Sequence, residues 1–409
     1  MAEKTQVSAA ASLPAMQYRR FGRTNLRIPV FSCGGMRYQQ SWQDLSPDEI
    51  EAEKQVNLEA CIHRAVELGI NHIETARGYG TSEQQLGRIL PNLPREQLIV
   101  QTKIGPKESG AEFMDVFETS MQNLKLDYVD LLGIHGINTQ ELLDLTLRTD
   151  GMMTAVREVQ RQGRVRHVGF STHAPTDVIV KTIESGEFEY VNLHWYYVNP
   201  FTWEAVEAAN RADMGVFIIS PSDKGGKLYE PSEKMKQLCA PLSPMQFNDL
   251  YCLSREEVHT LSLGAARPTD FDEHVQGLTD WDTHQELTTD IATRLHNALT
   301  EHHGEEWVLH WHEGLPDCSD IPSEINVHEI LRLWTYGTAL DLLPWAKMRY
   351  NLLGQGGHWF RGQNAATAAD VDWSPLLSQS PFADIIPDIL RQAHDLLVEA
   401  PVERASQGN

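Results

Sequence analysis

The stretch that decides the fold is a strand–helix–strand unit in the first third of the chain. Residues 98–135 read LIVQTKIGPKESGAEFMDVFETSMQNLKLDYVDLLGIH. Residues 98–102 and 129–134 are short apolar runs, and residues 112–124 between them have helical spacing of apolar side chains. This order predicts two parallel strands joined by a helix.

The same pattern repeats along most of the chain. Further apolar runs of strand length lie at residues 31–35, 70–74, 165–170, 190–193, 216–220 and 258–263, and further helical segments lie at 49–68, 82–90, 152–162 and 202–212. Gly69, Gly163 and Gly215 precede strands and are expected to end the helices before them. Eight strands alternating with helices predict an α/β fold, a (β/α)₈ TIM barrel.

The alternative is an open, doubly wound sheet. The number of repeats disfavours it, as does the lack of a G-x-G-x-x-G motif after the first strand. Residues 18–30, with Gly22 and Asn25 at turn-like positions, predict a short hairpin that plugs the barrel bottom. We expect a disordered segment over residues 1–15, the barrel over 16–287 and a mostly helical C-terminal region over 288–409.

Composition excludes several classes of partner. The chain has 57 acidic and 34 basic residues, a formal charge of −23, which argues against nucleic acid and anionic membrane surfaces. No apolar stretch has the length of a membrane span, and residues 1–15 lack a signal-peptide core. The five cysteines form neither a disulfide framework nor a CxxC motif. We therefore expect a cytoplasmic protein with no nucleic-acid or membrane partner.

Four polar residues fall at the carboxyl ends of neighbouring strands, where barrels carry their chemistry. Glu74, Lys103 and His135 end the second, third and fourth strands, and Tyr79 follows the second. Each alone would be an ordinary loop or core residue, but together they form a proton-transfer set. Lys103 stabilises a Tyr79 phenolate, Glu74 holds Lys103, and His135 donates to a substrate carbonyl oxygen. Such a site protonates an alkoxide as hydride reaches the carbonyl carbon.

The sequence around these residues resembles the aldo-keto reductase family. The matching segments are RRFGRTNLRIPVFSCGGM at 19–36, GINHIETARGYGTSEQQLGRIL at 69–90, QTKIG at 101–105, DYVDLLGIHGIN at 127–138, GRVRHVGFSTH at 163–173 and SLGAARPTDFDEH at 262–274. The family's Tyr, Lys and His fall on Tyr79, Lys103 and His135. Its aspartate falls on Glu74, and the extra methylene is expected to shift the lysine contact and to reduce activity.

The resemblance also implies a nicotinamide dinucleotide, with NADP(H) favoured over NAD(H). Ser171, Thr172 and Asn192 are similar to the residues that bind the nicotinamide carboxamide, with Thr for Asn and Asn for Gln. The loop SPSDKGGKL from Ser220 resembles the loop that covers the pyrophosphate. The implied cofactor residues are Ser171, Thr172, Asn192, Ser220, Lys224, Gly225, Gly226 and Arg267. Arg267 is expected to bind a 2′-phosphate, which Asp270 would repel.

Residues 321–361 resemble the tail of related proteins that carry a ferredoxin-type [4Fe–4S] insert. Here Cys318 stands alone where that insert has four cysteines, so no iron–sulfur cluster is expected. The tail is then expected to be a structural lid or a dimer contact. A cluster of histidines in the same region does not have the spacing of a zinc-binding motif, so we expect no metal. Its members are His302, His303, His310 and His312.

These observations predict an oxidoreductase that reduces an aldehyde or a ketone to an alcohol, with Tyr79 as the general acid. The alternative is a dinucleotide-binding regulatory or interaction module whose catalysis has decayed. Two features motivate it, the Glu74 that departs from the family and the loss of the cluster cysteines. We expect a small-molecule carbonyl substrate, without predicting which one. Met36, Arg37 and Tyr38, with residues 195–197, are expected to line its pocket. The sequence does not predict an oligomeric state.

Overall fold

Eight parallel strands close into a barrel, which confirms the predicted fold class. The computed structural model describes residues 13–399, so the expectations for residues 1–12 and 400–409 lie outside it. The barrel strands are β3 (Phe31–Gly34), β4 (His72–Glu74), β5 (Ile99–Ile104), β6 (Val129–His135), β7 (Val165–Ser171), β8 (Tyr190–Leu193), β9 (Gly215–Ile218) and β10 (Thr260–Leu263). Each strand pairs in parallel with its sequence neighbour, and β10 pairs with β3 to close the ring.

The predicted hairpin before the barrel is also present. Strands β1 (Tyr18–Arg20) and β2 (Arg27–Pro29) pair antiparallel. Phe21 between them is fully buried and packs with Leu131, Tyr190 and other residues inside the barrel. The hairpin therefore closes the end of the barrel opposite the predicted site.

The prediction that a glycine ends the preceding helix is wrong at one of its three positions. Gly69 (φ +80) and Gly163 (φ +75) have the left-handed backbone of a helix end. Gly215 instead begins β9, and Asp213 takes the left-handed conformation (φ 50) in its place. A Cβ on Gly215 would lie 2.5 Å from the Phe21 ring, so glycine is needed there for packing of the hairpin.

Helices follow the barrel strands and continue to the end of the described chain. Helices α1–α11 lie over the barrel portion: Ala52–Glu67, Ser82–Ile89, Gly110–Leu124, Gln140–Leu147, Met152–Arg161, Thr176–Glu184, Trp203–Arg211, Pro221–Lys224, Glu233–Cys239, Pro244–Leu253 and Asp270–Gly277. Helices α12–α17 follow: His284–His303, Glu305–His310, Val327–Ala339, Leu343–Tyr350, Trp373–Leu376 and Ile386–Leu397. Short 3₁₀ helices span Gly22–Thr24, Pro47–Glu49, Leu90–Asn92, Arg95–Gln97, Leu278–Thr283, Cys318–Asp320, Gly357–Trp359 and Ala365–Asp370.

The C-terminal region is mostly helical, as predicted, but no loop or linker separates it from the barrel at the predicted boundary. The predicted boundary between residues 287 and 288 falls inside α12, which packs against both α10 of the barrel portion and α14. Past β10, the described residues form no further strand, and only an isolated bridge joins Ile325 to Gln363. One continuous core includes apolar residues of both regions, so the barrel and the tail are packed as one body.

The C-terminal region covers the carboxyl ends of several barrel strands. Arg332 Nη1 donates to the carbonyl of Val198 at 2.8 Å, and Trp345 Nε1 donates to the carbonyl of Lys224 at 3.1 Å. Val198 lies in the loop after β8, and Lys224 is the last residue of the short helix α8 that follows β9. The tail therefore forms a wall beside the end of the barrel where the candidate site lies.

Candidate active site

The structure brings the four predicted catalytic residues together. Lys103 Nζ forms an ion pair with Glu74 Oε2, and the same nitrogen lies 2.9 Å from the Thr75 carbonyl and 3.4 Å from the Tyr79 hydroxyl. The Tyr79 and His135 rings meet edge to face, with centroids 5.6 Å apart. The parallel register explains this convergence, because Glu74, Lys103 and His135 all lie at or near the carboxyl ends of adjacent strands.

Glutamate at position 74, whose extra methylene was expected to shift the lysine contact, still pairs with Lys103. Its second oxygen, Oε1, accepts a hydrogen bond of 2.9 Å from Ser262 Oγ on β10. The carboxylate reaches β10 past Gly34 of the intervening strand β3, where a Cβ would lie 2.7 Å from Ser262 Oγ and 3.3 Å from Glu74 Oε1. Ser262 and Gly34 were not among the predicted site residues. Ser262 is the first residue of the matching segment 262–274, but no motif in the sequence marks it as a site residue.

Gly133 makes room for the lysine in a similar way. It pairs with Lys103 in register, and a Cβ there would lie 3.1 Å from Lys103 Cγ. Lys103 is 1% exposed and Glu74 3% exposed, so the ion pair is almost completely removed from water. An ion pair at this depth is held by its geometry, since removal of either partner leaves a buried charge.

Burial and the ion pair set the protonation states of the site. Burial lowers the pKa of Lys103, but Glu74 and Tyr79 outweigh it, and the pKa is raised above its ordinary value. For Tyr79 burial is the largest cause and raises the pKa, while Lys103 lowers it only in part. Burial therefore exceeds the opposing effect of the ammonium, and the net pKa of Tyr79 is raised. Tyr79 stays protonated near neutral pH.

His135 is neutral in this environment. Burial lowers its pKa to about 3, with further lowering by Lys103 and His358. A neutral imidazole keeps one N–H group that donates a hydrogen bond. This protonation state suits the predicted contact between His135 and a carbonyl oxygen.

A tryptophan of the C-terminal region packs on the site, which the sequence did not reveal. The Trp359 ring lies 4.9 Å from that of His135 and 5.3 Å from that of His173, edge to face in both pairs. Gly136 takes the left-handed backbone (φ +82), and a Cβ there would lie 2.5 Å from the Trp359 ring. The neighbouring His358 Nδ1 lies 2.9 Å from Asn138 Nδ2. The glycine-rich segment before Trp359 indicated a turn, but nothing in the sequence indicated which part of the barrel Trp359 would contact.

The predicted carboxamide-binding residues differ in what they offer a ligand. Asn192 on β8 is fully buried, and both of its side-chain polar atoms lack a hydrogen-bond partner among the described residues. Ser171 Oγ accepts a hydrogen bond of 3.1 Å from the Gly136 amide. Thr172 Oγ1 donates to the carbonyl of Ile137 at 2.7 Å and accepts from a backbone amide, so the backbone uses its hydroxyl. Of the three, Asn192 is the residue with unused donor and acceptor groups.

The predicted phosphate-binding residues lie after β9 and β10. Ser220 has a left-handed backbone (φ 55) and precedes the short helix α8, which ends at Lys224. Gly225 is required by packing, since a Cβ would lie 2.1 Å from the Pro221 carbonyl oxygen, and Gly226 has φ +134. Arg267 is 76% exposed in its side chain and bonds to Asp270 Oδ1 through Nε at 3.2 Å and Nη2 at 3.0 Å. Asp270 therefore already accepts hydrogen bonds from two nitrogens of the Arg267 guanidinium.

Some predicted pocket residues belong instead to the core. Trp195 stacks on Tyr251 with ring centroids 5.2 Å apart, and Tyr197 meets Tyr336 of α14 edge to face at 6.4 Å. The first pair lies within the barrel portion, and the second joins the barrel to the C-terminal region. Arg37, in contrast, is partly exposed and pairs with Asp223 at 2.9 Å.

The remaining polar residues of the tail have separate partners. His303 Nε2 lies 3.0 Å from the Thr335 carbonyl, and His310 Nδ1 lies 2.9 Å from Glu313 Oε1. Between residues 13 and 399 no three His, Cys, Asp or Glu residues are grouped as metal ligands would be. All five cysteines, Cys318 included, are free and buried. No helix in the described part of the chain has the length and apolarity to cross a membrane.

Comparison with known proteins agrees with this architecture. The family model that matches is that of the aldo/keto reductase family, over residues 31–252, more than half of the chain. The chain therefore belongs to the aldo/keto reductase family and is an oxidoreductase. The match ends before β10 and the C-terminal region.

Individual relatives are distant. L-galactose dehydrogenase of Arabidopsis thaliana is 23% identical over 295 residues, which cover 65% of this chain and 89% of that protein. L-glyceraldehyde 3-phosphate reductase of Escherichia coli strain K12 is 27% identical over 177 residues, 39% of this chain and 46% of that enzyme. The holo form of an aldo-keto reductase from Bacillus halodurans superposes with a TM-score of 0.56 at 20% identity, over 68% of this chain and 96% of that one. This structural likeness supports the fold.

Proposed function

We propose that this protein reduces an aldehyde or a ketone to an alcohol with a nicotinamide dinucleotide, and that Tyr79 is the general acid. The observation that carries the proposal is that buried Glu74 and Lys103 meet half-buried Tyr79 and His135 at the carboxyl ends of β4, β5 and β6. A bound nicotinamide dinucleotide supplies the hydride. The protein supplies a proton and a polar environment for the oxygen that gains charge.

Each residue of the set has a distinct task in this proposal. Tyr79 is protonated near neutral pH and gives its proton to the oxygen of the substrate. Lys103, 3.4 Å from the Tyr79 hydroxyl, stabilises the phenolate that this transfer leaves behind. Neutral His135 donates a hydrogen bond to the same substrate oxygen and helps to orient it. Glu74 keeps the ammonium of Lys103 in position.

The side-chain amide of Asn192 is chemically complementary to the carboxamide of a nicotinamide dinucleotide. Asn192 is fully buried with its amide nitrogen and oxygen both unpaired among the described residues, and a carboxamide has the complementary acceptor and donor. We propose that Asn192 and Ser171 hold the nicotinamide, that Lys224 and the loop from Ser220 hold the phosphates, and that Arg267 favours NADP(H) over NAD(H). Thr172 is proposed only as a residue of the cavity wall, because its hydroxyl already bonds to backbone.

The alternative, a dinucleotide-binding module without catalysis, has less support. Its main argument was the replacement of aspartate by Glu74. In the structure Glu74 forms the ion pair with Lys103 and is anchored by Ser262. These contacts support the catalytic proposal over the alternative.

A carbonyl-reduction assay with Tyr79→Phe tests the proposal. The wild-type protein is screened against aldehydes and ketones by the loss of NADPH and NADH absorbance. Phenylalanine keeps the ring that packs on His135 and removes the acid, so we expect kcat to fall by about 10²- to 10⁴-fold. Tyr128→Phe is the matched control, because Tyr128 precedes β6 at the opposite end of the barrel. Undiminished turnover by Tyr79→Phe would refute the role of Tyr79.

A further inference from the structure

A cavity with a volume of about 150 Å³ lies between the barrel and the C-terminal region. Its barrel wall includes His194 after β8 and Lys224 at the end of α8. Its other wall includes Glu329 and Arg332 on α14 and Arg349 on α15. Because the wall is shared, a ligand in this cavity would contact both parts of the chain.

Arg332 and Arg349 of the C-terminal wall share a single carboxylate as hydrogen-bond acceptor, and Asp223, which pairs with Arg37, acts on Arg349 only through its charge. Glu329 accepts two hydrogen bonds from Arg332, at 2.7 and 2.9 Å, and a longer one of 3.4 Å from Arg349 Nε. A third arginine of the cavity, Arg361, is already bonded to Asp317 at 2.5 and 2.7 Å. Two buried guanidinium groups therefore share one carboxylate.

Arg349 is the group left with unused donors. It is 9% exposed, and no described residue accepts a hydrogen bond from its Nη1 or Nη2. Its guanidinium stacks over the Phe360 ring at 4.6 Å, which fixes the plane of the group. Burial lowers the pKa of Arg349, in agreement with a charge that is only partly compensated. A buried cation with free terminal nitrogens is costly unless an anion completes its hydrogen bonds.

Lys224 brings a further positive charge to the same cavity, from the barrel side. Its Nζ lies 3.1 Å from His194 Nε2. Burial, together with Lys224 and Arg349, holds the pKa of His194 well below its ordinary value, so His194 is neutral and accepts a hydrogen bond from the ammonium. The cavity is thus locally cationic in a chain with a net charge of −23.

We propose that this cavity is an oxyanion-binding site, in which Arg349 and Lys224 hold a phosphate or carboxylate group of a ligand. The paired terminal nitrogens of a guanidinium match two oxygens of such a group, and an ammonium adds a point charge beside it. The oxyanion site itself is inferred only from the residues that line the cavity. Its connection to the reduced substrate or to the dinucleotide rests on the proposed function.

Direct binding of inorganic anions tests the site without any turnover. The full-length protein is titrated with inorganic phosphate and pyrophosphate by calorimetry, and tryptophan fluorescence is followed in parallel because Trp359 lines the cavity. We expect Arg349→Gln to weaken anion binding by about 10- to 100-fold, since a hydrogen bond to a charged group is lost. Arg391→Gln, an exposed arginine of α17 paired with Asp388, is the matched control and should leave binding unchanged.

Two further variants keep the test decisive if Arg349→Gln is unstable. Arg349→Lys keeps the charge beside Glu329 and should restore part of the affinity, and Lys224→Gln should weaken binding without touching Glu329. Melting temperatures show which variants are folded. Wild-type protein that binds neither phosphate nor pyrophosphate, or binding that folded Arg349→Gln and Lys224→Gln leave unchanged, would overturn the proposal.

Two further measurements on Arg349→Gln identify which ligand carries the oxyanion. If it belongs to the dinucleotide, Arg349→Gln weakens the binding of NADPH and NADH. If it belongs to the substrate, the variant loses the preference for an aldehyde that carries a carboxylate over its neutral amide. Phosphate binding with neither effect would overturn the assignment to an active-site ligand. Absence of carbonyl reduction with Arg349-dependent phosphate binding would refute the proposed function but not the oxyanion site.

Discussion

Ser262 Oγ donates a hydrogen bond of 2.9 Å to Glu74 Oε1, while Glu74 Oε2 is paired with Lys103. The glutamate thus connects β10 to β5 across the top of the barrel. Its side chain is long enough to reach both partners past Gly34. The longer acid at this position therefore has a second anchor.

Ser262→Ala should reduce stability more than activity. It leaves one oxygen of a buried carboxylate without its donor, which costs about 1–3 kcal/mol in the free energy of unfolding. The ion pair with Lys103 remains, so we expect kcat to fall by less than about tenfold. Urea denaturation and the carbonyl assay measure the two effects. Ser120→Ala is the matched control, because Ser120 is buried and its hydroxyl has no partner among the described residues. Equal stability of both variants would contradict the proposed anchor.

Lys103→Met should abolish most turnover and also destabilise the protein. The substitution removes the ammonium beside Tyr79, and loss of one such preorganised group lowers kcat by about 10²- to 10³-fold. It also leaves Glu74 as a buried charge without a cation, which costs about 3–5 kcal/mol. Dinucleotide affinity, measured by fluorescence titration, should change much less, because the proposed cofactor contacts lie on later strands.

The double variant Lys103→Met, Glu74→Gln separates these two effects. It removes both charges, so most of the lost stability should return while turnover stays low. Recovery of turnover together with stability would show that Lys103 has only a structural role.

The contact between Gly136 and Trp359 holds the C-terminal region on the site. Gly136→Ala places a Cβ 2.5 Å from the Trp359 ring and forces alanine into φ +82. We expect displacement of the segment around Trp359, seen as faster hydrogen exchange over residues 354–361, and a lower kcat/KM. Gly163→Ala is a matched control, because its φ is +75 and a Cβ there has no neighbour within 4 Å. Exchange that is unchanged in Gly136→Ala would mean that the tail does not depend on this contact.

The barrel and the convergence of the four proposed catalytic residues could be predicted because both follow from local patterns. Apolar runs of strand length alternate with helices, and parallel strands in a barrel bring their carboxyl ends together. Glu74, Lys103 and His135 each end such a run in the sequence. Their meeting in space is therefore a consequence of the repeat, and the structure confirms it.

The contribution of the C-terminal region could not be predicted in this way. Trp359 and Arg349 reach the site from a part of the chain more than 200 residues beyond His135 in sequence, and no periodicity indicates where their helices dock. The net direction of the Tyr79 pKa could not be predicted for a related reason. Proximity to Lys103 follows from strand order, but the depth of burial that outweighs it depends on the packing of the whole chain.

Arg267 and Asp270 provide a test of cofactor preference. If Arg267 binds the 2′-phosphate, Arg267→Gln should weaken NADPH binding by about tenfold and leave NADH binding unchanged. Asp270→Asn should have the opposite effect, because the carboxylate that accepts the Arg267 hydrogen bonds is removed. Arg64→Gln is the matched control, since Arg64 pairs with Asp272 on the same helix α11 at 2.7 Å. NADPH affinity that neither Arg267→Gln nor Asp270→Asn alters would place the 2′-phosphate elsewhere.

The buried His72 should make the protein sensitive to acid. It is fully buried on β4, with Nδ1 2.6 Å from Ser32 Oγ and Nε2 3.1 Å from Gln101 Oε1. Burial is the main cause that lowers its pKa to about 3, from 6.5 in an unfolded chain. Between these two values the unfolded state binds more protons than the folded state. The stability that neutral His72 contributes is therefore complete above about pH 6.5 and is lost as the pH falls towards 3.

We expect His72 to add up to about 1.4 kcal/mol per pH unit to the slope of unfolding free energy in that range. Urea denaturation at several pH values should give a shallower slope for His72→Gln, whatever its stability at neutral pH. The slope is the readout because the variant also loses the contacts to Ser32 and Gln101. His63→Gln, on the exposed side of α1, serves as the control and should keep the wild-type slope. If His72→Gln also keeps that slope, His72 does not resist protonation in the folded protein, and the acid sensitivity comes from other groups.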